Sequence, residues 1–304
     1  MNRPQIQTRY DGPTAAIGVR LNSKSPDQRM QMQQDIEKLI CTARILRAHA
    51  VRMVHRSRAS HLGSCLSVAD IVACLYWNTL RIDPAQPAWP HRDRFILSKG
   101  HAAAIVYAAL AERGFFPVYE LKTYCEFGSR LTGHITSGVP GVEVSTGSLG
   151  HGLPIACGMA LAANRDNLPS RTVVLASDGE LDEGSNWEAI LFAPQHELDN
   201  LLLIVDYNKI QSFGRVSEVL ELSPLADKFR AFRWAVREVD GHNIPQLLDT
   251  FAAIPFVAGK PSVVIAHTVK GKGIKFMEDD LAWHYKSPTE EQLARALQEL
   301  GQDA

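Results

Sequence analysis

The segment TVVLASDGELDEG, residues 172–184, joins an uninterrupted apolar run to a cluster of acidic residues. An apolar run without polar alternation is typical of a strand that is buried on both faces of a parallel sheet. Further short runs rich in β-forming residues follow at residues 201–205, 234–239 and 262–266. Helical patterns at about 184–193 and 244–253 separate them. This alternation predicts an α/β fold with a doubly wound, mainly parallel sheet and helices on both faces.

The remaining periodic segments are helical. Apolar residues recur at helical spacing over residues 36–54, 67–80, 102–113, 153–163 and 289–300. The second of these segments opens at Ser67, and Asp70 follows three residues later, as in a capping box. Residues 1–27 are polar and contain Pro and Gly, so we expect a loose arm or a contact to a partner, followed by a single domain at residues 28–304.

Composition excludes several classes of protein. The chain has 304 residues, of which 45% are hydrophobic, and a formal net charge of -1, as expected of a globular protein. Its 32 Lys and Arg are interspersed with 33 Asp and Glu, which argues against nucleic-acid binding. No apolar run suits a signal peptide or a membrane helix, so the predicted location is the cytoplasm. The 5 cysteines show no CxxC spacing and are predicted to be buried, reduced thiols.

The acidic cluster after the first apolar run lies where ligands commonly bind in this class of fold. In an open parallel sheet, ligands bind beyond the carboxyl ends of the strands, where Asp178 lies, and Gly179 permits close approach of the backbone. The helix that begins near Gly184 directs its free amide groups to the same crevice, which favours a phosphate. The carboxylates would repel a bare phosphate, so the pattern indicates a bridging Mg²⁺ ion.

A second strand end supplies further oxygen atoms. Asn208 follows the run at 201–205, and if the two strands are neighbours, its amide oxygen, the Asp178 carboxylate and the Ile210 carbonyl converge on one ion. The local sequence also fits ordinary helix-capping and turn residues after strands, and both interpretations stay open on local features alone.

The acidic segment and its surroundings resemble the transketolase family, from about residue 35 to residue 290. Short sequence motifs of the family occur in this chain in the same order as in the family. They are SHLGS at 60–64, RDRFILSKGH at 92–101, GH at 133–134, TGSLGHG at 146–152, DGELDEG at 178–184, NKI at 208–210, VKGKGI at 269–274 and WH at 283–284.

The resemblance implies thiamine diphosphate and a divalent metal, Mg²⁺ or else Ca²⁺ or Mn²⁺, as cofactors. The metal ligands would be Asp178, Asn208 and the carbonyl of Ile210. Cofactor contacts would come from Ser64, His101, Gly147, Ser148, Leu149, Asp178, Gly179, Glu180, Asn208, His267 and His284. Two positions depart from the family pattern: Ser177 replaces the usual Gly of a GDG triplet, and His267 stands where many relatives carry Lys. With histidine at position 267, the charge near the diphosphate would depend on pH.

Four histidines match the family's catalytic set: His61, His101, His134 and His284. A single loop histidine is more often structural, but these four occur in matching contexts. By resemblance they line the channel to the cofactor, hydrogen-bond the sugar hydroxyls and move protons. Imidazole suits such proton transfer near neutral pH.

The resemblance also predicts an incomplete enzyme. Full-length family members continue into a pyrimidine-binding domain and a C-terminal domain, whereas this sequence stops at Ala304. We therefore expect the N-terminal subunit of a split transketolase, in an α2β2 assembly with a separate C-terminal subunit that contains the pyrimidine-binding domain. It would transfer a two-carbon ketol unit between sugars or sugar phosphates. The alternatives are a subunit of a deoxyxylulose-phosphate synthase or 2-oxo acid dehydrogenase, or a non-catalytic cofactor-binding or regulatory subunit.

Overall fold

A five-stranded parallel sheet lies at the centre of the computed structural model, which describes residues 25–303. The strands are β1 Arg94–Leu97, β2 Thr172–Ser177, β3 Leu201–Tyr207, β4 Ala235–Asp240 and β5 Ser262–His267. Their order is β1-β2-β3-β5-β4, and every neighbouring pair is parallel. The predicted α/β class and all four predicted strands are confirmed.

Strand β1 was absent from the predicted set. It contains four residues, lies at one edge of the sheet, and pairs Arg94 to Leu97 with Thr172 to Leu175. Its apolar run is the three residues Phe-Ile-Leu, too short to be distinguished from a loop by periodicity. Pairing with β2 therefore decides that this segment is a strand.

Helices cover both faces of the sheet. The α-helices are α1 Pro26–Ser57, α2 Leu62–Ser67, α3 Ala69–Cys74, α4 Ala103–Glu112, α5 Gly152–Arg165, α6 Gly184–Gln195, α7 Val216–Val219, α8 Leu225–Ala231, α9 Ile244–Ala252 and α10 Glu290–Glu299. One hydrophobic core contains side chains of α1, α2, α3, α4, α9 and α10, and the other contains side chains of α5, α6 and α8. Along β2, Val173 and Leu175 face the first core while Val174 and Ala176 face the second. Burial on both sides explains why the sequences of β2, β3 and β5 are almost continuously apolar.

Helix α1 begins inside the predicted arm. Ser25 caps the helix, because its hydroxyl accepts a hydrogen bond from the amide of Gln28 while the Gln28 side chain accepts from the Ser25 amide. Pro26 occupies the first turn, where its missing N–H costs nothing. The remainder of the predicted arm, residues 1–24, lies outside the described residues.

The capping box predicted at Ser67 is wrong. The preceding helix α2 already begins at Leu62, and the buried Ser67 hydroxyl donates to the Ser64 carbonyl at 3.1 Å and to the Asp206 carboxylate at 2.7 Å. Asp70 instead accepts hydrogen bonds from Arg47. Partners from distant parts of the chain thus replace the local capping pattern, and α3 is followed by a short π-helix at Leu75–Thr79.

Other local predictions agree with the structure to within a few residues. The patterns at 102–113, 153–163, 184–193, 244–253 and 289–300 correspond to α4, α5, α6, α9 and α10. All five cysteines are free, but burial holds for three of them, since Cys41 and Cys125 are exposed. Among residues 25–303, no helix combines the length and apolar character needed to span a bilayer.

A buried ion pair between Arg47 and Asp70 offers a test of the fold. The guanidinium donates to the carboxylate at 3.1 and 2.6 Å. Burial alone would raise the pKa of Asp70, but Arg47 and His242 lower it to about 2. We expect Arg47→Met to reduce the free energy of unfolding at pH 7 by about 3–5 kcal/mol, measured by urea denaturation, because it removes the guanidinium partner of a buried carboxylate.

The pH dependence of this loss has a definite sign. The pKa of Asp70 lies below its ordinary value of 3.8, so the pair stabilises the protein above about pH 4 and less as pH falls through about 2. The difference between wild type and variant should shrink over that range. Lys38→Met is the control, because Lys38 faces Asp35 at 3.8 Å in an exposed pair, and it should cost less than about 1 kcal/mol. Equal losses for the two variants would contradict the assigned role.

Candidate active site

A cavity of about 410 Å³ opens beyond the carboxyl ends of the strands, where the loops after β2, β3 and β5 meet. A larger groove of about 1030 Å³ lies between α1, residues 118–122 and residues 287–293, but no predicted site residue lines it. The 410 Å³ cavity is lined by His61, Ser64, His101, His134, Gly147, Leu149, Ser177, Asp178, Gly179, Asp182, Glu183, Asn208, Ile210, Gln211, Ser212, Phe213, Val219, Lys270 and His284.

Asp178 forms the acidic end of this cavity. One carboxylate oxygen accepts a hydrogen bond from the amide of Gly179 at 2.7 Å, and the other accepts from the amide of Lys209 at 2.5 Å. Burial, together with the nearby charge of Asp206, raises the pKa of Asp178 to about 6. A cation beside this carboxylate would favour its ionised form.

The two other predicted metal ligands line the same cavity. The Asn208 side-chain oxygen accepts from the Ile210 amide at 3.1 Å, and the Ile210 carbonyl lies 2.9 Å from the ammonium of Lys270. A carboxylate, an amide oxygen and a carbonyl are the hard oxygen donors that Mg²⁺, Ca²⁺ and Mn²⁺ prefer. The residues present therefore fit such an ion, with a single carboxylate in the set.

The four predicted catalytic histidines form one cluster in the cavity. The ring centroid of His61 lies 5.1 Å from that of His101, 5.6 Å from that of His134 and 5.1 Å from that of His284. His61 adopts a left-handed conformation with φ of 70°, and its amide donates to the His284 carbonyl at 2.8 Å. Helix α2 and the Leu281–His284 3₁₀ helix are thereby joined at the cluster.

Three rings of the cluster are uncharged near neutral pH. Burial, followed by neighbouring positive groups, lowers the pKa of His61 to about 4 and that of His284 to about 3. The pKa of His101 is also lowered well below its usual value, mainly by burial. The Nε2 atom of His101 lies 2.9 Å from the Ser64 hydroxyl. These three rings can therefore accept as well as donate hydrogen bonds at pH 7.

Glycines permit close approach of backbone to side chains at two edges of the cavity. Gly147 has φ of +149°, and a Cβ atom there would lie 2.8 Å from Cδ2 of His134. A Cβ atom at Gly179 would lie 2.9 Å from Cγ of Gln211. The predicted contact residues Gly147, Gly179 and Leu149 thus line the cavity where a ligand can contact the backbone.

Comparison with known proteins shows the family of this chain. The sequence profile described as "Transketolase, thiamine diphosphate binding domain" matches residues 37–304. The chain belongs to the transketolase family. It carries the family's thiamine diphosphate-binding domain, and the resemblance read from the ordered sequence pieces is confirmed.

Similar chains include separate transketolase subunits. The chain is 41% identical over 256 residues to an apulose-4-phosphate transketolase subunit of Phocaeicola vulgatus, covering 84% of this chain and 91% of that one. It is also 41% identical to the 6-deoxy-6-sulfo-D-fructose transketolase subunit SqwG of Clostridium sp., covering 85% of this chain and 94% of the relative.

Solved transketolase structures share the fold. The transketolase from Campylobacter jejuni matches with a TM-score of 0.82 and 30% identity over 89% of this chain, and that from Leishmania mexicana with 0.81 and 30% over 88%. This chain spans 43% of the first and 41% of the second. The match therefore concerns less than half of those longer transketolases.

Three residues assigned to the cofactor by resemblance do not line the 410 Å³ cavity: Ser148, Glu180 and His267. The Glu180 carboxylate is buried, and it accepts hydrogen bonds from the Ser98 hydroxyl at 2.5 Å and the Gly150 amide at 3.0 Å. Glu180 therefore holds the 147–150 loop in place. The Nε2 atom of His267 lies 3.1 Å from the Glu238 carboxylate, and its ring packs against Tyr207.

Lys270, rather than His267, contributes a positive group to the lining of the cavity. Its ammonium lies 2.9 Å from both the Ile210 carbonyl and Nδ1 of His284, and burial lowers its pKa to about 8. Lys270 was not among the predicted site residues, although it belongs to the VKGKGI motif at 269–274. Its proximity to the cavity depends on the turn after β5, which local sequence does not reveal.

The contact between Gly147 and His134 can be tested by adding one methyl group. We expect Gly147→Ala to displace the His134 ring and to lower turnover about 10-fold or more, because small displacements of reacting groups are costly. Steady-state kinetics of the assembled enzyme would measure this loss. Gly158→Ala is the matched control, since no atom lies within 4 Å of a Cβ there. Wild-type turnover of Gly147→Ala would show that the close contact is unimportant.

Proposed function

We propose that the chain is the N-terminal subunit of a cytoplasmic two-chain transketolase. It would transfer a two-carbon ketol unit from a ketose, or ketose phosphate, to an aldose or aldose phosphate. The observation that carries this proposal is that one cavity contains both the four-histidine cluster and the Asp178, Asn208 and Ile210 oxygens. The similarity to chains named as transketolase subunits, over 91% and 94% of their lengths, supports the two-chain arrangement.

Thiamine diphosphate would lie across the carboxyl ends of β2, β3 and β5. When bound, it supplies the carbon nucleophile and the electron sink that breaking a carbon–carbon bond of a ketose requires. Gly147, Leu149 and Gly179 would contact it through backbone atoms, and Ser64, His101 and His284 through side chains. Lys270 adds a positive charge to the same cavity, where its ammonium lies 2.9 Å from the Ile210 carbonyl.

A divalent metal would connect the cofactor's diphosphate to this chain. Asp178, Asn208 and the Ile210 carbonyl would hold Mg²⁺, Ca²⁺ or Mn²⁺, leaving further ligand positions for phosphate oxygens and water. The ion resolves the repulsion that buried Asp178 would otherwise exert on an anionic group. Lys270, whose ammonium lies 2.9 Å from Nδ1 of His284, would neutralise further negative charge of the diphosphate.

The histidines would bind the sugar and move its protons. Neutral His61, His101 and His284 can accept a proton from a sugar hydroxyl or donate one hydrogen bond to it, whereas charged imidazoles could only donate. The cluster also includes His134, whose ring lies against Gly147. Ser64 orients His101 through the 2.9 Å contact with its Nε2 atom.

A second chain would complete the site. Large apolar side chains at or near the cavity are exposed, among them Phe213 at 84% and Tyr285 at 58%. Such a surface is typical of an interface. We propose that it contacts a C-terminal subunit with the pyrimidine-binding domain, in an α2β2 assembly, which would also contribute contacts to the substrate.

Reconstitution tests the proposal. The purified chain would be assayed for ketol transfer alone and after addition of the chain that co-purifies with it, with a panel of ketose donors and aldose acceptors. Turnover only in the mixture is the expected result. Decarboxylation of a 2-oxo acid, or condensation of pyruvate with glyceraldehyde 3-phosphate, would indicate another thiamine diphosphate enzyme. Cofactor binding without turnover in any mixture would indicate a non-catalytic subunit.

We expect Asp178→Ala to abolish the metal-dependent part of cofactor affinity, because it removes the single carboxylate of the proposed ligand set. Calorimetric titration of thiamine diphosphate, with and without Mg²⁺, would measure the change. Asp227→Ala is a suitable control, since Asp227 is exposed and pairs with Arg230 at a distance from the cavity. Unchanged Mg²⁺-dependent affinity in Asp178→Ala would contradict the assigned ligand.

His134→Ala should act on a different step. We expect turnover to fall about 100-fold while cofactor affinity stays close to that of wild type, because the ring is proposed to act on the sugar. Steady-state kinetics and cofactor titration on the same preparation would separate the two effects. A large loss of affinity, with turnover unchanged at saturating cofactor, would instead assign His134 to cofactor binding.

A further inference from the structure

Asp206, near the carboxyl end of β3, has a carboxylate that is fully buried and does not line the cavity. It accepts hydrogen bonds from the Ser67 hydroxyl at 2.7 Å, the Lys99 ammonium at 2.5 Å and the Asn208 side-chain NH₂ group at 2.9 Å. The Thr268 hydroxyl donates to its other oxygen. None of these groups except Asn208 belongs to the proposed metal ligands.

The contact with Asn208 determines the orientation of an amide. An ionised carboxylate only accepts hydrogen bonds, whereas an amide side chain has a donor side and an acceptor side. The Asn208 NH₂ group must therefore face Asp206, and its oxygen must face away. That oxygen accepts from the Ile210 amide at 3.1 Å, among residues that line the cavity.

The charge of Asp206 is compensated without any ion in the cavity. The Lys99 ammonium lies 2.5 Å from its carboxylate, and both side chains have no exposed surface. Asp206 can therefore act on the cavity through the hydrogen bond to Asn208, rather than as a competing ligand. Asp178, whose oxygens accept only from backbone amides among the described hydrogen bonds, is left to face a cation.

We propose that Asp206 is a positioning residue that orients Asn208, so that the amide oxygen rather than the NH₂ group faces the divalent ion. This inference rests on the metal site proposed above. An Asn at position 206 would present both a donor and an acceptor, so the Asn208 amide could turn over. Its NH₂ group, which cannot bind a cation, would then face the ion.

The test is the affinity for Mn²⁺, measured by electron paramagnetic resonance with thiamine diphosphate present, on the full chain as it purifies with any bound partner. We expect Asp206→Asn to weaken Mn²⁺ binding about 10-fold or more, which is typical when a group that orients a metal ligand is lost. Ser67→Ala removes another donor to the same carboxylate but leaves the amide contact, so its Mn²⁺ affinity should match wild type.

A compensating variant separates orientation from general packing. Asp206→Asn combined with Asn208→Asp keeps the number of carboxylates, and both oxygens of the new carboxylate can bind an ion, so no wrong orientation exists. We expect Mn²⁺ affinity to recover in this double variant. Thermal melting without metal would confirm that each variant is folded, and the double variant provides the test if Asp206→Asn alone does not fold.

The outcomes distinguish the two proposals. Mn²⁺ binding that is absent in wild type, or that survives Asp178→Ala, would overturn the metal site itself. Binding that requires Asp178 but is unchanged in folded Asp206→Asn would overturn the positioning role and leave the proposed function intact. The positioning role would also be overturned by an equal loss in Ser67→Ala, or by a folded double variant that still binds Mn²⁺ weakly.

Discussion

The buried ion pair between Lys99 and Asp206 connects the segments from which the site is built. Lys99 follows β1 and Asp206 belongs to β3, and the same ammonium donates to the Ser64 carbonyl of α2 at 3.1 Å. Thr268, just after β5, donates to the Asp206 carboxylate. Removing one partner of such a pair typically costs about 3–5 kcal/mol, because a charge is left unpaired in the interior. The pair therefore constrains how three strand ends and α2 meet.

This arrangement produces a cavity that contains both neutral and charged groups. Positive Lys99 and Lys270 lie near the histidines, and they add to burial in lowering the pKa values of His61, His101 and His284. Asp178 lines the same cavity as the histidines, and burial and Asp206 raise its pKa. The cavity thus offers neutral imidazoles together with a carboxylate that a cation would stabilise. Both properties arise from the same buried surroundings.

Much of this architecture could be predicted from residues alone, and the exceptions have physical causes. The apolar run 172–176 identified β2 because burial on both faces removes polar residues from the strand. The four-residue strand β1 was not predicted, because its short sequence has no clear periodicity. Pairing with β2 stabilises it as a strand. At Ser67, a distant carboxylate replaced the local capping partners. At the site, resemblance pointed to His267, whereas the turn after β5 brings Lys270 to the cavity.

The sequence by itself determined the alternation of strands and helices, the position of Asp178 and Asn208 after strand ends, and the ordered pieces that identify the family. These properties are local, because side-chain periodicity and motif spacing depend on neighbouring residues. Only the tertiary structure decided which strand-end groups share a cavity, which way the Asn208 amide faces and which histidines are neutral. Those properties depend on strand order, burial and partners far apart in the chain, such as Ser67 and Asp206, which are 139 residues apart.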